Sequence, residues 1–463
     1  MSGALRAGVA RVEFEAALGG AMMGYGARRG GARARHDPLF ARAVYLERSG
    51  ATESGELLLV ELDLCLLAPA HAEALRARIA ERTGVAEARV GIGCIHTHSG
   101  PETGLFAALA GAGPPDDAPW LAAALRAAAS ARAGAEPARL GVGRAEARIG
   151  RNRRVAGGPL DPEVLVVRVE RADRRPLAVL YVHGCHPTVL GHDNLEYSAD
   201  WPGAASRAIE AALPGAIALF ALGAHADIDP RTRGLHDLAV SGQSAGGSFA
   251  SVEELGRELG TAVAAAADSI ATRPDAPIAT DTVWCRLPVH GGADPRAREA
   301  ALAPSRARAQ AALGLGADVD PGVPEWFGLI GERTAGLAPG EARPRIAAAR
   351  AYLRDRTAPR FAGGLAPAVS VQVARLGDAW LLCLPLEATV DVGLDWKRRL
   401  GGAPGAVVSI ANGWLRYLPH PRNFAEPDAE HAYEVLMSTF GPDAATHLLD
   451  AADALRARLG DAA

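Results

Sequence analysis

Apolar runs and amphipathic stretches alternate along most of this chain, and the breaks between them carry turn and cap residues. Glu56–Leu67 reads as a buried strand, followed by a helix that opens at Pro69 and closes near Gly84, with proline at the start and glycine past the end. Val90–Ile95 is the next strand and runs directly into His96. Val164–Glu170 and Pro176–Val182 form the arms of a hairpin joined by Arg171–Arg175. Ala216–Leu222 is a further strand, ending near His225. Ser251-x-x-Glu254 has the form of a capping box and predicts a helix from there to about Ile270. Later, Val369–Leu376, Gly377-Asp378 and Ala379–Leu384 make a tight hairpin, Ala406–Ile410 is one more strand, and the residues up to Leu459 are helical.

Between these halves, the stretch from roughly 291 to 360 is rich in Ala and Arg and reads as helical, broken by Pro321 and Pro324. It has the character of an inserted helical segment or lid rather than a separate domain. With no repeat, low-complexity linker or heptad array, the economical expectation is one body over 1–463. Its class is α/β (mixed α+β), with mixed β-sheets flanked by helices and a metal site at the strand ends.

Composition narrows the function classes. The chain has 463 residues, 49% hydrophobic and 22% charged, enough to bury a large core without staples. The net charge of −4 offers no general attraction to phosphate backbones or anionic membranes, so no nucleic-acid partner is expected. No apolar run approaches the ~18 residues of a spanning helix, and the opening Met1-Ser2-Gly3-Ala4-Leu5-Arg6 has no apolar core. A cytoplasmic protein is expected, with its five cysteines (Cys65, Cys94, Cys185, Cys285, Cys383) reduced and buried, since none forms a CxxC pair. Of the basic residues only Lys397 is a lysine, and Asp395-Trp396-Lys397-Arg398-Arg399 reads as a solvated helix face. Acid/base work therefore falls to His, Asp, Glu and Tyr.

Several of the 13 histidines stand just after strands, where open α/β sheets place ligands. Ile95-His96-Thr97-His98-Ser99-Gly100-Pro101 comes first. Residues two apart in an extended segment share a face, so His96 and His98 could enter one pocket, although an exposed or core-satisfied pair fits the pattern equally. In His183-Gly184-Cys185-His186-Pro187, with His192, Asp193 and Asp200 behind, His186 at the rim is the better ligand and His183 the better packing residue. Gly223-Ala224-His225-Ala226-Asp227-Ile228-Asp229-Pro230-Arg231 opens an apolar strand end into two carboxylates. Glu387, after an apolar strand, is either solvent-facing or a ligand, and Asn412 through Tyr417 brings a tyrosine to the same side. Four or five such strand ends could supply the ligands of one divalent metal and their supports.

His96-Thr97-His98-Ser99-Gly100-Pro101 resembles the HTHSGP motif of the neutral (alkaline, non-lysosomal) ceramidase family, zinc amidases that hydrolyse N-acyl bonds. The likeness extends over most of the chain. It takes in Met23-Gly24-Tyr25-Gly26, His36 through Ala43, Asn152-Arg153, His186-Pro187-Thr188 with Ser198-Ala199-Asp200, Asp227 through Pro230, Glu387, Asn412–Tyr417 and Tyr433-Glu434. The resemblance implies a ceramidase-like catalytic domain with Zn2+ held by His96, His186, Glu387 and Tyr417. It places His98 as acid/base or orienting group and Arg153 on a substrate carbonyl or carboxylate. Asp229 stands where the family has serine; it could take a proton or bind a cationic group, or else fix the loop or pair with Arg231. The chain stops soon after Tyr433, without the family's C-terminal immunoglobulin-like domain. The expectation is a zinc-dependent hydrolase acting on a small molecule with an acyl-amide bond, with ester or lactam as variants, and not on ceramide itself. A metal-dependent lactone or phosphoester hydrolase, or a metal- or ligand-binding protein without activity, are the alternatives. Oligomeric state is not legible.

Overall fold

A computed structural model describes residues 4–25, 28–48, 55–104, 118–233, 246–288, 368–426, 432–436 and 438–461. Eight strands form one mixed sheet: β1 (Leu5–Phe14), β2 (Leu39–Arg48), β3 (Glu56–Leu62), β4 (Val90–Cys94), β5 (Glu136–Glu146), β6 (Glu163–Arg171), β7 (Pro176–His183) and β8 (Ile217–Leu222). Their spatial order is β8-β7-β6-β5-β1-β2-β3-β4, parallel at β8/β7 and β3/β4 and antiparallel elsewhere. A second sheet holds β9 (Ile278–Arg286), β10 (Ala368–Leu376), β11 (Ala379–Cys383) and β12 (Gly405–Val408), in that order, with β11/β12 parallel. The predicted hairpins at β6/β7 and β10/β11 are present, the latter turning at Gly377 with φ 61°.

The strands read as continuous apolar runs because both faces of each sheet are covered. Along β6, Val164 and Val166 pack under helices, while Leu165, Val167 and Val169 face the second sheet. Helices α1 (Pro69–Thr83), α2 (Ala118–Ala133), α3 (Asp200–Ala212) and α4 (Phe249–Ser269) cover the outer face of the large sheet. Helices α5 (Val390–Arg399) and α6 (Ala444–Asp461) cover the small one, through Trp396 and Leu448 among others. The result is four layers, helix–sheet–sheet–helix, in which each buried Val or Leu contributes about 1.5–3 kcal/mol.

Several local readings are corrected. Helix α4 starts one turn earlier than expected: its N-cap is Ser248, whose side chain accepts from the Ser251 N–H, so Ser251 is inside the helix. Lys397 is not on a solvated face but pairs with Asp161 and Glu163 at 2.6 and 2.9 Å. All five cysteines are free; four are buried, and Cys285 is half-buried. The helical insertion expected around 291–360 lies outside the described residues. Among those that are described, no helix is long and apolar enough to cross a membrane.

The edge strand β4 is tied off by the segment that follows β12. Asn412, in a left-handed conformation at φ 63°, accepts from Ile92 N–H with its side-chain oxygen and donates its own N–H to the Ile92 carbonyl. Its amide also donates to Gln372 of β10. A polar bridge thus fixes the ends of both sheets against each other where the histidines cluster.

Candidate metal centre

The strands β4, β7 and β8 of the large sheet and β11 of the small sheet all end at one place. After β4, Ile95 N–H bonds the Leu62 carbonyl and His96 N–H bonds that of Leu64 at 2.9 Å. His96 itself takes φ 67°, so the segment is not extended there. This corrects the expected strand alternation of His96 and His98: a turn, not a shared strand face, brings their Nε2 atoms to 3.2 Å. After β7, His186 N–H bonds the Ile228 carbonyl, and the Trp201 indole donates to the His186 carbonyl. Gly184 lets this loop touch the one after β8, since a Cβ there would lie 2.3 Å from the Ala224 carbonyl. After β11, Glu387 N–H bonds the Arg416 carbonyl, and Glu387 pairs with Tyr417 in a short parallel ladder.

His96, His186, His225 and Glu387 each bring one ligand atom to within 4.8 Å of the others, and all four are buried. The Glu387 Oε2 lies 3.8, 3.6 and 3.5 Å from the Nε2 atoms of His96, His186 and His225. The Nδ1 sides are committed elsewhere, to the carbonyls of Cys65 (3.0 Å), Ile228 (3.1 Å) and Gly223 (3.1 Å). An Nδ1 facing a carbonyl must be the protonated one, so in the neutral ring Nε2 carries a lone pair. Burial pushes His96 down to about 4, partly offset by Glu387, and holds His186 well below its ordinary value, keeping both rings neutral. Glu387 Oε1 accepts from the Trp414 indole at 2.8 Å, while Oε2 makes no hydrogen bond.

Four acceptors therefore face one another in a buried space with no donor among them. Such an arrangement is repulsive unless a cation sits between them, and separations near 3.5 Å are those of ligands each about 2.0–2.2 Å from a common ion. The residues fit a divalent metal. The backbone carbonyls on Nδ1 and the indole on Glu387 are the usual outer supports of such ligands.

Around this centre, His98 is half-buried, its ring edge-on to Tyr25 at 4.8 Å, and its Nδ1 has no hydrogen-bond partner. Asp229 is fully buried, with Oδ1 at 3.4 Å from Arg153, 3.7 Å from His186 Nδ1 and 3.8 Å from Arg233. The expected alternative partner, Arg231, instead binds Glu254 and Glu258 at 3.0 and 2.8 Å. Arg153 donates from Nε to Glu434 at 2.8 Å, lies over the Tyr433 ring, and leaves Nη2 without a hydrogen-bond partner. Tyr417 is buried edge-on to Tyr433, and burial, reinforced by Glu387, holds its hydroxyl well above the usual value. His183 lies apart, edge-on to Trp201 at 6.3 Å, as a packing residue. Asp200 accepts from the Val189, Leu190 and Trp201 N–H groups, and Asp193 from Gly246. His225 was not singled out as a ligand from sequence. Its one signal was its position just past the β8 run.

No family model matches the chain, and no curated protein matches it. Solved structures do. A ceramidase complexed with C2 aligns at TM-score 0.67 and 21% identity, over 99% of this chain and 76% of the other. The neutral ceramidase from Pseudomonas aeruginosa aligns at TM-score 0.67 and 22% identity, over 99% and 75%. The fold is neutral ceramidase-like.

Proposed function

We propose that the protein is a metal-dependent hydrolase that cleaves an amide (N-acyl) bond with Zn2+ as its ion. The observation that carries this is the convergence of buried acceptors from His96, His186 and Glu387, with His225 beside them, on one donor-free point. A divalent ion held there lowers the pKa of water towards ~7 and polarises a substrate carbonyl.

The chain's own groups supply the rest. His98, half-buried next to His96, is within reach of a proton moving between water and the leaving nitrogen. Arg153, clamped by Glu434 and Asp229, holds a guanidinium N–H for the developing oxyanion, with the Tyr417 hydroxyl as a second donor. Asp229 orients Arg153, and its carboxylate lies 3.7 Å from His186 Nδ1. The substrate is an acyl-amide other than ceramide. What supports this is Asp229 in place of the family's serine, which sets Arg153, Asp229 and Arg233 as a charged group beside the metal. Site residues from His96 to Glu434 share this one centre, which supports a single catalytic body.

Elemental analysis and a panel of N-acyl amines, N-acyl amino acids and p-nitrophenyl esters, run on wild type and His96→Ala, test the proposal. Stoichiometric zinc with amide turnover lost in His96→Ala is expected. Full zinc occupancy with no hydrolysis of any member would favour a binding protein, and unchanged activity without metal would sink the reading.

A further inference from the structure

We infer that His225 is a metal ligand, giving three imidazoles and one carboxylate. This rests on the metal-dependent reading above. It departs from the ligand set that the sequence resemblance implied, in which Tyr417 was the fourth ligand and His225 had no part.

Three observations carry it. His225 Nε2 is the imidazole nitrogen nearest to Glu387 Oε2, at 3.5 Å against 3.6 and 3.8 Å for His186 and His96. His225 is fully buried, and among the described residues its Nε2 has no hydrogen-bond partner. Its Nδ1 is spent on the Gly223 carbonyl two residues back, so its ring presents a lone pair just as the other two do. A buried lone pair aimed at three further acceptors has no stabilising partner except a cation. The ring is also held from behind: Ala226 N–H bonds the Ala388 carbonyl, one residue past Glu387, locking the two ligand-bearing loops together.

Charge separates the two ligand sets. Two histidines, a carboxylate and a phenolate would neutralise a divalent ion, whereas three histidines and one carboxylate leave +1 at the site.

Cobalt-substituted protein tests this without any substrate. Proton NMR of the Co2+ form shows one strongly shifted, solvent-exchangeable Nδ1–H signal per coordinated histidine. Here each of those protons is held by a backbone carbonyl, which slows its exchange. Three such signals in wild type, with one lost in His225→Gln, are expected. Co2+ affinity should fall about 100-fold or more in His225→Gln. Two signals in wild type, or three that His225→Gln leaves intact, would overturn the assignment while leaving a metal-dependent hydrolase standing. Failure of wild type to bind Co2+ or Zn2+ would overturn both. The wild-type count does not depend on any variant folding.

Discussion

Gly24 is the backstop of His98. Its φ of 109° is open to glycine and strained for any L side chain, and a Cβ built on it would lie 2.4 Å from His98 Cγ and 2.7 Å from Cβ and Nδ1 of the same ring. Carbon atoms rest about 3.5–4.0 Å apart, so in Gly24→Ala the imidazole must retreat by about 1 Å or more. A displacement of that size in a group that moves a proton costs about 100-fold in turnover, or about 2.7 kcal/mol of barrier. The strained backbone adds about 1–3 kcal/mol of lost stability. Metal binding should survive, because His96, His186, His225 and Glu387 sit on other segments. Gly19→Ala is the matched control: φ is 82°, and nothing lies within 4 Å of its Cβ. It should share the stability loss and keep its turnover. The assay is kcat on the best amide of the substrate panel, at metal stoichiometry verified for each protein. Turnover in Gly24→Ala within threefold of Gly19→Ala, both fully loaded, would refute the placement of His98 in the reaction.

Removing the ion should lower the thermal midpoint, since three ligands come from the large sheet and Glu387 from the small one; an ion at a thousand times its Kd stabilises by about 4 kcal/mol, read by calorimetry with and without chelator. Trp414→Phe frees Glu387 Oε1 from its 2.8 Å indole bond and should weaken Zn2+ binding about 10–100-fold in competition titrations, with little change in fold by circular dichroism. His183, pushed down to about 4 by burial, is neutral in the fold. Its contribution is therefore full above about 6.5 and is lost as pH falls through about 4, so metal-free wild type should lose about 2–3 kcal/mol more than His183→Leu between pH 7 and 4.5 in urea melts. Arg42→Met strands the buried carboxylates Glu61 and Asp63, each 2.7 Å from its guanidinium, and should cost about 3–5 kcal/mol in the same melts.

Much of the fold was legible because its strands are buried on both faces. Runs such as Val164–Glu170 and Val369–Leu376 leave little room for another reading, and their turns carry the expected residues. The boundary of α4 was missed for a local reason: Ser248 and Ser251 are both capable caps, and the choice belongs to which one the chain leaves in an extended conformation. Lys397 was misplaced because its partners, Asp161 and Glu163, are more than 230 residues earlier, and helical spacing carries no sign of them.

The site shows the same division more sharply. Each strand end announced itself, since a polar residue closing an apolar run is conspicuous; His96, His186 and Glu387 drew notice that way, with Glu387 left open between solvent and ligand. What periodicity cannot carry is conformation past the strand. His96 at φ 67° turns a segment that alternation would have kept straight, and the turn after Pro230 brings Arg233, not Arg231, back to Asp229. His225 escaped for a related reason. Its lone pair acquires meaning only when β8 and β11 are brought side by side and Ala226 is bonded to Ala388. Until then it is one more histidine after a strand. Once packed, it is a buried acceptor facing three others, and the cost of leaving it without a partner falls on the contact between the two sheets. On the proposed reading an ion there would be part of how the sheets are joined, and the ligand set would follow from their packing rather than from any motif in one of them.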